Sequence, residues 1–131
     1  MMSLSRKSDY GLIILSYISQ KKEKVALSEL VEKTGLPHRF VARIASELAL
    51  NHFLTSREGR EGGYVVGPEL KTATLFDYLT LFEKHVNLAA CAEKGYICEY
   101  EHCCTHKSKF LREVNNVYIK QLKSQKLKKL L

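Results

Sequence analysis

The strongest constraint on the fold is an ordered run of signals from Leu27 to Pro68. A short amphipathic segment, Leu27 to Lys33, ends at Gly35, a second apolar period opens after Pro37, and a glycine-rich hairpin pattern follows directly. Leu30 and Val31 are expected to face inward, with Gly35 supplying the left-handed stop that other residues adopt only at a cost. Pro37 lacks a backbone N–H and suits the first turn of the next helix, where that donor has no intrahelical partner. Phe40, Val41, Ile44 and Leu48 recur three or four residues apart and predict the buried stripe of that helix. Its other face carries His38, Arg39, Ala42, Arg43 and Ser46. Phe53 to Arg57 then reads as a strand, Glu58 to Gly63 as a tight turn, and Tyr64 to Val66 as the returning strand, closed by Gly67 and Pro68. Two short helices joined by a glycine-containing turn make a helix-turn-helix. A hairpin directly behind the second helix makes it a winged one. On that frame His38, Arg39 and Arg43 are candidates for contacting bases. Arg57 and Arg60 flank a glycine-rich tip that can approach a phosphate backbone closely.

The flanking segments complete a mainly α fold. Tyr10, Ile13, Ile14, Tyr17 and Ile18 have helical spacing in a first helix, with Asp9 near its start, where a negative charge complements the helix dipole. Thr74 and Asp77 form a capping-box pattern ahead of a helix expected to bury Leu75, Leu79 and Phe82. A polar loop spans residues 85–104. A long helix then resumes near Thr105, with Phe110, Val114, Val117 and Leu122 expected on one side. Such a terminal helix has little left to pack on in its own chain, so a homodimer is the natural use of its apolar side. The chain therefore divides into a winged helix-turn-helix over 1–68 and a cysteine loop with a dimerisation helix over 69–131.

Charge adds a weaker constraint. The formal net charge of +7 favours polyanionic partners such as double-stranded DNA. Much of the excess sits at Lys120, Lys123, Lys126, Lys128 and Lys129, a stretch without acids that reads as a solvated, fraying helix end. No apolar run approaches the ~18 residues of a membrane span, and the N-terminus has no signal-peptide pattern, so a cytoplasmic location without membrane contact is expected. No nucleophile with a base, phosphate loop or pair of carboxylates stands in a catalytic setting, so no enzyme is expected.

All four cysteines, Cys91, Cys98, Cys103 and Cys104, lie in one loop together with His102 and His106. Cysteines clustered in a polar loop of a non-secreted chain bind metal or react. Soft thiolates suit zinc or an iron–sulfur cluster. Six residues separate Cys91 from Cys98 and five separate Cys98 from Cys104, which is loose for a zinc knuckle and suits a loop wrapped around something larger than one ion. Zinc, redox-active thiols and a cluster all remain open on these grounds.

Wing and loop together resemble the Rrf-two type family of winged-helix transcriptional regulators. The resemblance is carried by Leu4-Ser5-Arg6-Lys7-Ser8-Asp9-Tyr10, Thr34-Gly35-Leu36-Pro37 and Gly59-Arg60-Glu61-Gly62-Gly63-Tyr64, and it covers nearly the whole chain. The family places three cysteines before a long dimerisation helix. The resemblance thus implies an iron–sulfur cluster on Cys91, Cys98 and Cys104, with Cys103 extra and able to replace Cys104. The first gap is one residue longer than in the family's iron–sulfur assembly branch. For the fourth ligand two readings stand. One branch uses a histidine three residues past its third cysteine, and His106 fits that spacing from Cys103, implying a 2Fe-2S cluster. The nitric-oxide-sensing branch takes an acid from the first helix of the other subunit, and Asp9 occupies that position without any shift, implying a 4Fe-4S cluster; this is the preferred reading. In the wing, Glu58 replaces an arginine that many members carry, and Arg57 stands beside it to compensate. The function implied is a homodimeric regulator that binds a DNA operator and senses iron–sulfur status, nitric oxide or redox state. The alternative is a zinc-binding or thiol-redox helix-turn-helix interaction protein.

Overall fold

A computed structural model of the chain describes residues 4–105 and 110–131. Helix α1 (Arg6–Ser19) begins where the Ser5 hydroxyl accepts from the Ser8 N–H, satisfying a donor that the first helical turn leaves open. It buries Ser8, Gly11, Ile14, Leu15 and Ile18, whereas Ile13, expected inward, is 40% exposed. Gly11 explains the rotated stripe: a Cβ there would collide with the hydroxyl of Tyr78, so the bare backbone receives that ring.

Helices α2 (Leu27–Thr34) and α3 (His38–Leu50) are joined as expected, Gly35 holding φ 68° and donating to the Val31 carbonyl. Pro37 stands one position outside α3, its carbonyl accepting from Phe40 and Val41. Val41, Ile44, Ala45 and Leu48 are fully buried. Phe40 is not: it is 42% exposed and meets Tyr10 edge-on at 6.1 Å, because α1 covers only the inner side of its ring.

Strand β1 (Leu54–Arg57) pairs antiparallel with β2 (Gly63–Val66), Leu54 opposite Val66 and Arg57 opposite Gly63. Val25 extends the ladder, exchanging hydrogen bonds of 2.9 and 2.8 Å with Tyr64. A Cβ on Gly63 would stand 2.6 Å from the Val25 carbonyl oxygen, so this glycine serves the seating of the hairpin on the domain.

A 3-10 turn (Pro68–Lys71) leads to α4 (Leu75–Phe82), which carries the expected capping box between Thr74 and Asp77. The fully buried residue of α4 is Tyr78, which the expected stripe omitted; Leu75 and Phe82 are half-buried. Its hydroxyl donates to the Ser8 carbonyl and stays protonated, because burial pushes its pKa far up and the charges of Asp9 and Glu83 push the same way. Beyond the cysteine loop come α5 (Phe110–Ser124) and α6 (Leu127–Leu130). Leu122 is buried against its own chain together with Asn115, while Val114 is 39% and Val117 is 69% exposed. The expected single seam is therefore split, since Leu122, five residues past Val117, falls on another face at 3.6 residues per turn. The C-terminus is packed on the domain instead of standing free as a solvated helix end. Leu75 donates to Gln125 at 2.8 Å, Leu127 donates to Ala73 at 3.0 Å, and the Leu127 side chain is fully buried. Among the described residues, no helix is long and apolar enough to cross a membrane.

Candidate nucleic-acid interface and cysteine loop

The inner stripe of α3 fixes what its outer face presents. With Val41, Ile44, Ala45 and Leu48 packed inward, His38, Arg39, Arg43 and Ser46 are exposed, and Arg39 and Arg43 lie one turn apart on the same side. Arg57 ends β1 and Arg60 lies in the turn, both exposed. The turn is closed by the Gly62 N–H donating to Gly59 at 3.0 Å, with Gly59 at φ 112°, a conformation that favours glycine. None of the four arginines forms an ion pair among the described residues. Their donors are open to phosphate oxygens or to the acceptor edge of guanine.

The loop is anchored at its start by a residue that pattern reading missed. Asn115 on α5 is buried; its Oδ1 accepts from the Leu88 N–H at 2.9 Å and its Nδ2 donates to Asn87 Oδ1 at 2.8 Å. An asparagine at helical spacing between Leu111 and Leu122 is the only sequence trace of this pin. Cys91 follows in a 3-10 turn (Ala90–Ala92), beside a cavity of about 250 Å³ that it lines with Arg112, Asn115 and Asn116. Cys91, Cys98 and Cys104 are half-buried and Cys103 is exposed; none is in a disulfide. The Cys103 and Cys104 N–H groups both donate to the Tyr100 carbonyl, at 3.1 and 2.8 Å. Glu93 Oε1 is buried without a hydrogen bond, with the His85 Nδ1 at 3.5 Å.

These donors are on one loop but are not gathered. Among the described residues, no three His, Cys, Asp or Glu side chains stand close enough to hold one metal ion. Asp9 is exposed in the first turn of α1. His106 and the side chain of Phe110 lie outside the described residues.

Below the loop, Glu83 ties α4 to α1. Its Oε1 accepts from the Ser5 N–H at 2.8 Å and from the Ser8 hydroxyl, placing a carboxylate on the positive end of α1. Partial burial pushes the Glu83 pKa up, but the Ser8 hydroxyl and the two Ser5 groups outweigh it and hold the carboxyl below its ordinary range.

Comparison with known proteins matches residues 4–131 to the Rrf2 family, described as iron-dependent transcriptional regulators. The transcriptional regulator IscR of Escherichia coli K12 is 23% identical over 107 residues, covering 80% of this chain and 66% of the relative. The chain thus spans just under two thirds of the length of that relative. Among solved structures, CymR of B. subtilis, described as its global cysteine regulator, superposes with a TM-score of 0.77 at 23% identity, covering 99% of this chain and 96% of CymR. CymR of Staphylococcus aureus, in an oxidized form, gives a TM-score of 0.72 at 19% identity, covering 98% and 95%. At these identities the structural likeness establishes the fold.

Proposed function

The chain belongs to the Rrf2 family of transcriptional regulators, which are not enzymes, and from that premise we propose that it binds a double-stranded DNA operator as a homodimer and senses iron–sulfur status, nitric oxide or redox state through its cysteine loop. In this reading residues 1–68 read DNA and residues 69–131 sense and dimerise. The observation that carries it is the set of four exposed arginines on α3 and the wing that form no ion pair among the described residues, in a chain whose thiols lie on a loop pinned to α5 by Asn115.

His38, Arg39 and Arg43 face the bases, and Arg57 and Arg60 hold phosphates. A second copy is supported by two unpartnered surfaces. Val114 and Val117 form an exposed apolar ridge on α5, and an open groove of about 790 Å³ is lined by Leu12, Ile13 and Tyr17 of α1, Tyr118 of α5 and Leu130 of α6. Two recognition helices held ~34 Å apart, or a multiple of that, match one face of a duplex.

The donor chemistry fits an iron–sulfur cluster: several accessible thiols on one loop, none bound in a disulfide. Cys91, Cys98 and Cys104 would hold it, with Asp9 of the partner subunit or His106 completing the set and Cys103 as the spare. When bound, the group supplies an iron–sulfide centre that oxygen or nitric oxide attacks. The chain's own part is mechanical. Asn115 joins the start of the loop to α5, so order in the loop bears on the helix that is to set the spacing of the two subunits. A thiol-redox reading is the second candidate, favoured by exposed Cys103 beside Cys104 and by the oxidized form of the S. aureus relative.

Anaerobic reconstitution with iron and sulfide separates them. The expected outcome is brown protein with visible absorption and stoichiometric acid-labile sulfide, kept in Cys103→Ser and lost in Cys91→Ser, Cys98→Ser and Cys104→Ser. Asp9→Ala and His106→Ala then decide the fourth ligand. A cluster that survives every single cysteine change, or never forms, removes the cluster reading in favour of thiol redox or zinc.

A further inference from the structure

Two of the C-terminal lysines, Lys123 and Lys126, are held by the fold. Lys126 Nζ donates to the Thr72 carbonyl at 3.0 Å, Lys126 bridges Thr74 through the backbone, and Lys123 Nζ stands 4.6 Å from the centre of the Phe76 ring. With Leu127 fully buried, α6 lies against the 3-10 turn (Pro68–Lys71) that follows β2, at the base of the wing. Lys71, Lys128 and Lys129 are all exposed and carry no ion pair or side-chain hydrogen bond among the described residues. The acids on the adjoining turn and α4 are Glu69 and Asp77, and Asp77 is occupied in the cap with Thr74.

We infer that the docked lysines at the base of the wing, Lys71, Lys128 and Lys129, form a second phosphate-binding surface that contacts the duplex beyond the stretch read by α3 and the wing tip. Lys128 and Lys129 are adjacent like charges on α6 that repel one another in the free protein, and a polyanion relieves that repulsion while releasing its own counterions. Docking matters because a backbone already held at Leu127 loses less conformational freedom on binding than a free tail. The inference rests on the DNA-binding reading above and names an additional contact surface for it.

The test uses the full chain with Lys71→Gln, Lys128→Gln and Lys129→Gln combined. Its probes are a duplex selected by the protein from a random-sequence library, a scrambled duplex of the same length, and the selected duplex with its flanks removed, each titrated across salt. The slope of log affinity against log salt should fall by ~0.9 for each phosphate that the protein no longer neutralises. The loss should be equal on selected and scrambled sequence, absent on the trimmed duplex, and reversed by arginine at the same positions. Lys128→Gln with Lys129→Gln alone, checked by circular dichroism, guards against misfolding of the triple variant. Unchanged slopes in a protein whose binding Arg39→Ala still weakens would overturn the inference alone. Absence of wild-type binding to any duplex would overturn the DNA reading and this surface with it.

Discussion

His52 joins α3 to β1 at φ 62°, the only non-glycine residue with positive φ among those described, and its carbonyl accepts from Glu69. The left-handed region costs an L-residue more than it costs glycine. His52→Gly is therefore expected to raise stability by about 0.5–1 kcal/mol, read from denaturant midpoints, net of the greater chain entropy that glycine gives the unfolded state. No sequence signal marked this strain, because nothing in the local pattern fixes the angle at which a helix hands over to a strand. The exposure of the four arginines was legible, since it follows from which residues α3 buries and where the hairpin turns. Arg39→Ala and Arg43→Ala should each cost ~1–3 kcal/mol of operator binding and relax base preference. Arg57→Ala and Arg60→Ala should weaken all sequences alike and flatten the salt dependence. Binding by all four variants like wild type at matched salt would sink the surface assignment.

At the scale of elements, periodicity gave α3 its inner face but misplaced parts of α1, α4 and α5. Each miss has a tertiary cause. Gly11 admits Tyr78 against α1, α1 leaves the outer side of Phe40 bare, and α5 turns Leu122 inward while Val114 and Val117 stay out. A helix with two apolar sides serves two contacts, which a one-stripe reading merges into one. Val117→Asp should leave the fold intact, because the residue is exposed in the single chain, yet place an unpaired charge in the proposed subunit seam. Sedimentation should then show monomer; a folded dimer would move the interface elsewhere. The α1–α4 junction carries a pH dependence. Glu83 has its folded pKa depressed, so its contribution is fully present above the unfolded value of ~4.3 and is lost as pH falls through the folded one. Glu83→Gln should lower stability at neutral pH, and the gap to wild type should close as pH drops below ~4. A gap constant over that range would mean the Ser5 and Ser8 contacts do not depend on the carboxylate charge.

In the whole molecule, the winged helix was readable because its signals are local: a glycine stop, a proline, a stripe and a hairpin in fixed order. The gathering of four thiols in one loop was readable but not its geometry, since thiols close in sequence do not determine where their sulfurs stand. The single chain leaves them ungathered among the described residues. The docked C-terminus was not readable, because its order comes from Leu127 and backbone pairing with residues 73–75, contacts far apart in sequence. The central claim, that the state of the cysteine loop governs DNA binding, is tested most directly by one comparison. Affinity for a selected duplex would be measured anaerobically, at fixed salt, for iron- and sulfide-reconstituted protein, for reduced metal-free protein, and for the Cys91→Ser, Cys98→Ser, Cys104→Ser variant. The expected result is at least a tenfold difference between the first two, ~1.4 kcal/mol, with the variant fixed at the metal-free value under both treatments. Equal affinity in all three, with sequence preference intact, would contradict it.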